Sequence, residues 1–389
     1  MIKVLLRGPV LTQSGYGVHS RQIAQWLLNR PDVEVMFQAL PWGQTPWFVD
    51  LDRNDGLIGE IMKRTGNPQN VKFDVTFQVQ LPNEWDPTLG KYNVGITAGV
   101  ETDKCNPEWV NCCNKMNRIV VPSEHVKRNL TSSGNVVVPL DVIPEAYSPA
   151  CALPKEQLPA LPEFSTRFNF LVFGQITGDN PHNDRKNTFF TLKWLFEEFK
   201  DEPDVGIVIK TNSGRNTRID KNKVVAMMGQ IIKEARKGPF PRLHVLHGDM
   251  LDSEVAALYK NPQVKALVAA TRGEGYGLPI LEAAVSGLPV IATDWSGHLD
   301  FMKKGKFISL FYNLQEVHKS RLDGNIFQPG MRWAEPSEGD FKKRTRKFYN
   351  SSSTPKDWAI DLSTKLIDEY SLERISEKYD DVLKEVQNT

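Results

Sequence analysis

Two glutamates with seven residues between them, Glu274 and Glu282, lie in the stretch A270-T-R-G-E-G-Y-G-L-P-I-L-E-A-A-V-S-G-L-P-V-I-A292. Glu274 falls among glycines, and Glu282 is expected in the first turn of a following helix. Such a segment can present two carboxylates and several backbone N–H groups to a phosphorylated sugar. Carboxylates accept hydroxyl hydrogens, and amides at a helix start, aided by the helix dipole, attract phosphate. The alternative is an ordinary βαβ unit in which an acid simply suits the helix N-terminus.

The elements that would position these groups follow from local pattern. Val264 to Ala269 is a short apolar run and reads as a buried strand. Gly273, Gly275 and Gly277 allow a tight loop. Pro279 suits the first helical position and Gly287 the stop. Ile280, Leu281, Ala284 and Val285 share one helical face, with Glu282 away from it, and Leu288 to Ala292 is the next strand.

The same alternation runs through the chain. Strands are expected at 2–7, 33–40, 73–79, 93–98, 118–121 and 136–138, with a helix over about 18–30 behind the first. Prolines gather at 144–162 and suggest a linker. The pattern restarts with a strand at 168–173, a loop at 174–187, a helix at 188–200, and strands at 205–210, 243–247, 264–269 and 290–292. Strands alternating with helices imply α/β architecture with parallel sheets, whose ligands bind at strand carboxyl ends. Residues 371–386 form an amphipathic packing helix. Domains are therefore expected at 1–160 and 161–350, with C-terminal helices at 351–389 packing back toward the first.

Composition narrows the function classes. With 389 residues the chain exceeds one ordinary core, and no apolar stretch approaches a membrane span. Cys105, Cys112, Cys113 and Cys151 contain no C-x-x-C, so neither zinc nor a disulfide framework is indicated and a cytoplasmic setting is expected. A net charge of +1 argues against a whole-surface nucleic-acid binder. The basic run 341–348 is either a solvated surface or a local contact site.

Other motifs are weaker. G15-Y-G17-V-H-S20 resembles a dinucleotide fingerprint, but its glycines stand several residues beyond the first strand and no acid ends the second. Asp50-Leu51-Asp52 could hold a metal but sits in a polar loop. Ser123 reads as an N-cap with His125 exposed in the first turn.

Taken together, the chain resembles a retaining GT-B glycosyltransferase of family 4 (glycosyl transferases group 1). The E-x7-E element carries the resemblance, supported by S14-G-Y-G17, N93-V-G-I-T-A-G-V-E-T-D103 with Pro107-Glu-Trp109, I119-V-V to Glu124, Val142 to Pro149, F173-G-Q-I-T177 with R185-K-N187, and T293-D-W-S-G-H-L-D300. It implies two Rossmann-like doubly wound domains facing a central cleft. It implies donor-sugar contact for Glu274, ribose contact for Glu282, and backbone amides of Gly275, Tyr276, Gly277 and Leu278 along the sugar and diphosphate. Lys186 would neutralise the diphosphate, and Gly15 and Gly17 would line the donor site. The family often has arginine where this chain has Gln175, so Arg185 or Lys210 would supply the second cation. Where many members place a histidine in the mid N-domain segment, this chain offers Glu101 or Asp103, and Glu101 is taken as the residue beside the anomeric carbon. The resemblance implies a nucleotide diphosphate sugar as donor substrate, with no cofactor and no metal. Residues 41–70, with Trp42, Trp47 and Phe48, are a candidate acceptor surface or else a cluster packed on its own domain. A GT-B sugar-nucleotide epimerase and a non-catalytic GT-B scaffold are the alternatives, and the acceptor is open among glycan, lipid, protein and modified nucleic acid.

Overall fold

The computed structural model describes residues 1–174 and 180–387. The chain divides into two units. One comprises residues 1–100, 104–146 and the C-terminal residues from 372, and the other residues 101–103 and 147–371.

The first unit runs β1 (Ile2–Gly8), α1 (Gly15–Leu28), β2 (Val33–Ala39), α2 (Leu57–Lys63), β3 (Phe73–Val79), β4 (Gly90–Ile96), α3 (Pro107–Cys113), β5 (Arg118–Val121), α4 (Glu124–Ser133) and β6 (Leu140–Val142). Its six strands pair in parallel in the order β2-β1-β3-β4-β5-β6.

The second unit contains β7 (Phe168–Phe173), α5 (Thr188–Glu198), β8 (Val205–Thr211), α6 (Arg218–Ala235), β9 (Arg242–His247), α7 (Asp252–Tyr259), β10 (Val264–Ala269), α8 (Leu278–Val285), β11 (Val290–Thr293), α9 (Leu299–Met302) and β12 (Ile308–Leu310). The antiparallel pair β13 (Tyr312–Glu316) and β14 (Arg332–Pro336) follows, then α10 (Glu338–Asn350) and α11 (Ser353–Glu369). The final helix, α12 (Leu372–Gln387), returns to the first unit, where Ile375, Tyr379, Val382 and Leu383 enter the core with Trp26 and Phe77.

The second sheet is also parallel, in the order β12-β11-β10-β7-β8-β9. Successive residues of its central strands feed opposite cores. Phe170, Val172, Ile207, Ile209, Ala266 and Val268 face α5, α6 and α10, whereas Leu171, Val208, Leu267 and Ala269 face α7, α8 and α11. Burial on both faces explains why these strands read as continuous apolar runs. The order reverses between β7 and β10, so the loops following those two strands flank the crevice where a doubly wound sheet binds ligands.

Several expectations need correction. The strand expected at 136–138 lies at β6 instead, because the Asn114 side chain donates to the Asn135 carbonyl and accepts from the Val137 amide, occupying groups a ladder would need. Helix α1 starts at Gly15, with Ser14 Oγ accepting from the Gly17 amide, so both glycines lie inside the first turn and not in a loop ahead of it. His125 is buried; the Ser123 cap accepting from Val126 is present. Helix α8 begins at Leu278, which places Pro279 at its second position and Glu282 beyond its first turn. Gly287, at φ 74°, does follow the helix end.

The basic run 341–348 lies on α10 and is largely neutralised. Lys342 pairs with Glu197 and Glu338, Arg344 with Asp340, and Arg346 with Glu198 and Glu202. In the first unit Trp42 stacks on Tyr16 at 3.9 Å and Phe48 receives the guanidinium groups of Arg21 and Arg53, so the 41–70 aromatics do form a local cluster. Trp47 remains 41% exposed.

Candidate functional site

Loop 270–277 leaves β10, and residues 180–187 precede α5 on the side of the neighbouring strand β7, so the strand order brings the two segments side by side. The Asp184 carboxylate organises the second loop, accepting from the Lys186 amide at 2.9 Å and the Thr188 amide at 2.6 Å, at the start of α5. Asn187 turns the chain in the left-handed region at φ 53° and donates to the Ala270 carbonyl. Arg272, 1% exposed, ties the loops together: it donates to the carbonyls of Pro181 and Asp184 and forms a two-point pair with Glu335. The Arg272 amide also donates to the Arg185 carbonyl.

This scaffold places Arg185 and Lys186 against Glu274. Lys186 Nζ lies 2.7 and 3.0 Å from the two carboxylate oxygens, and Arg185 Nη1 is 3.0 Å from Oε2. Arg185 also donates to the Gly273 carbonyl, while its Nε reaches Glu101 Oε1 at 3.1 Å. Glu274 is only 5% exposed. Burial pushes its pKa up, but Lys186 and Arg185 outweigh that and hold it at about 2. The result is a desolvated anion pinned between two cations, with Glu101 balancing the second.

A third loop supports the first. Ser296 takes the left-handed region at φ 89°, its Oγ accepts from the Glu274 amide at 2.8 Å, and the Gly297 amide donates to the Glu274 carbonyl. His298 is fully buried with Nε2 2.7 Å from the Thr293 carbonyl. Burial lowers its pKa, so the ring is neutral with the proton on Nε2, leaving Nδ1 an acceptor. That Nδ1, Thr271 Oγ1, Thr188 Oγ1 and Asn187 Oδ1 are buried and have no hydrogen-bond partner among the described residues.

Space is rationed here. A Cβ on Gly297 would lie 2.0 Å from the Gly275 carbonyl oxygen, and one on Gly273 would lie 2.5 Å from the Glu101 carbonyl oxygen. Gly297→Ala is therefore expected to displace the Glu274 loop and lower stability by about 1–3 kcal/mol. Gly229→Ala on α6, where an added Cβ meets nothing within 4 Å, should instead stabilise by roughly 0.5–1 kcal/mol. Paired denaturant melts of the two variants would check both signs.

Glu282 stands in different company. Tyr259 Oη lies 3.4 Å from its Oε2, the Ser148 amide donates to it, and Asp252 is close. Burial first and Asp252 second raise its pKa to about 7, although the Ser148 and Tyr259 hydrogen bonds oppose this. The seven-residue spacing thus yields one carboxylate fixed as an anion and one poised between its forms. Gly277, at φ 101°, joins them as the N-cap of α8 and brings no side chain to the first-turn amides. Tyr276 is a core residue whose ring packs edge-on against Phe301 at 5.4 Å, and Leu278 is partly buried.

The remaining candidates are distributed. Lys210, at the end of β8, donates to Asn212 Oδ1 and the Gly248 carbonyl; burial lowers its pKa to about 8 against the pull of Asp249. Asp103 forms its ion pair with Arg332, its amide donates to the Arg332 carbonyl and its Oδ1 accepts from the Arg332 amide, which fastens 101–103 to β14. Gly15 and Gly17 belong to the first unit; a Cβ on Gly17 would lie 2.2 Å from the Thr12 carbonyl oxygen, so close packing is reason enough for that glycine. Gln175 lies outside the described residues. No group of three or more His, Cys, Asp or Glu able to hold a metal occurs among the described residues. Asp50 and Asp52 lie in an exposed turn, with Asp50 Oδ1 accepting from the Asp52 amide. Arg272, Asp184, Ser296 and Tyr259 were not anticipated. Of these, Arg272, within the 270–292 stretch, and Ser296, within the 293–300 motif, carried a sequence signal.

Residues 230–320, which include both glutamates, match the family of glycosyl transferases group 1. No curated protein matches the chain by sequence. Among solved structures, the chain is similar to HepE of Anabaena in complex with UDP and glucose, at 12% identity over 99% of this chain and 100% of that one, with a TM-score of 0.60. It is likewise similar to sucrose-phosphate synthase of Thermosynechococcus elongatus (12% identity, all of both chains, TM-score 0.62). A third likeness is to the lipopolysaccharide outer core galactosyltransferase WaaB in its apo form (13% identity, 99% of both chains, TM-score 0.58). The architecture of two parallel doubly wound sheets is GT-B.

Proposed function

We propose that the protein is a retaining glycosyltransferase that moves a sugar from a nucleotide diphosphate sugar to an acceptor hydroxyl. The observation that carries this reading is the Lys186–Glu274–Arg185 cluster at the β7/β10 reversal, beside the amino end of α8. Glu274, held as an anion, accepts hydroxyls of the donor sugar. Lys186 and Arg185 face the charge that grows on the diphosphate as the glycosidic bond breaks, and amides from Gly275 to Leu278 border the same groups. Fixed cations act there because the leaving group carries more charge in the transition state than in the bound donor. Glu282, on the far side of the α8 start, takes the ribose hydroxyls. Glu101, bonded to Arg185, is the polar residue nearest the reacting carbon. Lys210 serves as a further cation next to β7, and the first-turn amides of α1 at Gly15 and Gly17 lie on the acceptor-bearing unit.

With retention, the acceptor attacks from the face the nucleotide leaves, and the departing phosphate oxygen takes the acceptor proton. No enzymic base and no metal are then required. HepE was crystallised with UDP and glucose, which makes UDP the first nucleotide to try. The four cysteine thiols are free, in keeping with action in a reducing cytosol.

A thermal-shift panel of UDP, GDP, ADP and CMP with their sugars, run in EDTA, tests this reading. One nucleotide at about 100 times its Kd should stabilise by roughly 2.7 kcal/mol. The absence of a shift with every nucleotide would remove the transferase assignment. A shift found only after divalent metal is restored would remove metal independence. Inverted anomeric configuration in the released sugar, read by NMR, would overturn retention.

A further inference from the structure

The chain is charge-balanced overall, with 48 lysines and arginines against 47 acids, yet residues 215–242 hold eight basic residues and two acidic ones. This segment contains α6, whose Val224, Met228, Ile231 and Ala235 are buried against the second sheet. The opposite face is solvent-exposed over about 27 Å, at 1.5 Å per residue. Arg215, Arg218, Lys221, Lys223, Lys233 and Lys237 are exposed along it.

The contrast with α10 is what makes this face unusual. On α10, Lys342, Arg344 and Arg346 are matched by carboxylates, and only Lys343 and Lys347 of its five cations have no ion pair among the described residues. None of the six cations along α6 enters an ion pair among the described residues. Of the two acids, Asp220 is taken up in capping, accepting from the Thr217 amide, Thr217 Oγ1 and the Arg215 amide. The face also exposes two branched aliphatic side chains, Ile219 at 67% and Val225 at 51%, with Ala226 and Gly229 between the cations leaving the helix surface low.

We propose that the outer face of α6 docks this protein on an anionic lipid surface. Unmatched cations along one helix complement a negatively charged headgroup layer, where each contributes about fivefold in affinity by the usual 1 kcal/mol. Ile219 and Val225, exposed among the cations, add an apolar contact at the headgroup boundary for which a phosphate backbone offers no counterpart. The small residues between them let the helix lie close to a plane. No helix among the described residues is long and apolar enough to cross a membrane. The docking is independent of the donor-site assignment.

Vesicle co-sedimentation of the full chain tests it, with phosphatidylcholine vesicles compared against the same lipid containing 30% phosphatidylglycerol. Binding is expected only to the anionic vesicles, weakening steeply between 0.1 and 0.5 M salt, as screening on the order of a 10 Å Debye length requires. The triple variant Arg218→Glu, Lys221→Glu, Lys223→Glu should bind at least 100-fold more weakly while keeping its melting temperature. Ile219→Ser with Val225→Ser should lose several-fold on vesicles. Equal binding to both vesicle types, or none to the anionic ones, would overturn the proposal. So would tighter binding to a DNA duplex that ignores the Ile219 and Val225 changes, since that would assign the face to nucleic acid.

Discussion

Glu274→Gln is expected to reduce turnover by roughly 10²–10³-fold, the usual cost of one electrostatic group aimed at the reacting centre. Nucleotide affinity should change by less than about threefold, because Glu274 is assigned to the sugar and not to the nucleotide. The same substitution should be costly to the fold. It leaves Lys186 and Arg185 facing a neutral group in a buried setting, a change that typically costs about 3–5 kcal/mol. For a unit of this size that is a fall in Tm of roughly 10 °C. The sign of the pH dependence follows from the depressed pKa of about 2. Stability from the ionised Glu274 is fully present above the unfolded value near 4.5 and is lost as pH falls toward 2. The Tm gap between wild type and variant should therefore close below pH 4.5. Equal losses of turnover and nucleotide affinity would show that Glu274 does not act through the sugar.

Glu282→Gln should do nearly the opposite. Its carboxyl, raised to about 7, favours the fold when protonated; that contribution is complete below about 4.5 and disappears as pH rises through 7. At pH 8 the nucleotide-free variant should be more stable than wild type, on the order of 2–3 kcal/mol at most. Nucleotide binding should suffer by about 1.5–3 kcal/mol through lost hydrogen bonds to a charged acceptor. Ribose hydroxyls favour the carboxylate, so the wild type should release a proton on binding and tighten about tenfold between pH 6 and 8, by the mass action of a group with pKa near 7. A nucleotide diphosphate sugar is the right probe, because its capped diphosphate lacks the second phosphate ionisation near pH 6. Calorimetry in buffers of different ionisation enthalpy would count the proton. A flat profile in wild type, or an equally steep one in Glu282→Gln, would end the ribose assignment.

These two glutamates also show how far the amino-acid sequence alone carries. The strand–loop–helix–strand frame around them was legible because β10 and β11 are buried on both faces and so are continuous apolar runs. The linking glycines were legible because Gly277 and Gly287 take positive φ. Their electrostatic surroundings were not. Arg185 and Glu274 lie 89 positions apart, and only the reversal between β7 and β10 makes them neighbours. Glu282 acquires its raised pKa from burial and from Asp252 on α7, against the hydrogen bonds of Tyr259 and the Ser148 amide, and none of this is revealed by its own spacing. Errors at element ends came from side chains that capture backbone groups, Ser14 at α1 and Asn114 ahead of β6. Such local capture competes with helix and ladder bonds and leaves little trace in hydrophobic periodicity.

The tripeptide 101–103 has a consequence for how this molecule can be divided. It is donated across the primary structure to the second unit, held there by the Asp103–Arg332 bonds and lending Glu101 to Arg185. A polypeptide spanning 147–371 alone would keep every strand of its sheet but would lose the Asp103 carboxylate paired with Arg332 and the Glu101 carboxylate that Arg185 engages beside Glu274. The second unit is therefore not a transplantable cassette. Chimeras joined at the 146/147 boundary inherit residues 101–103 from whichever parent supplies the amino-terminal part, and with them part of the charge balance around Glu274.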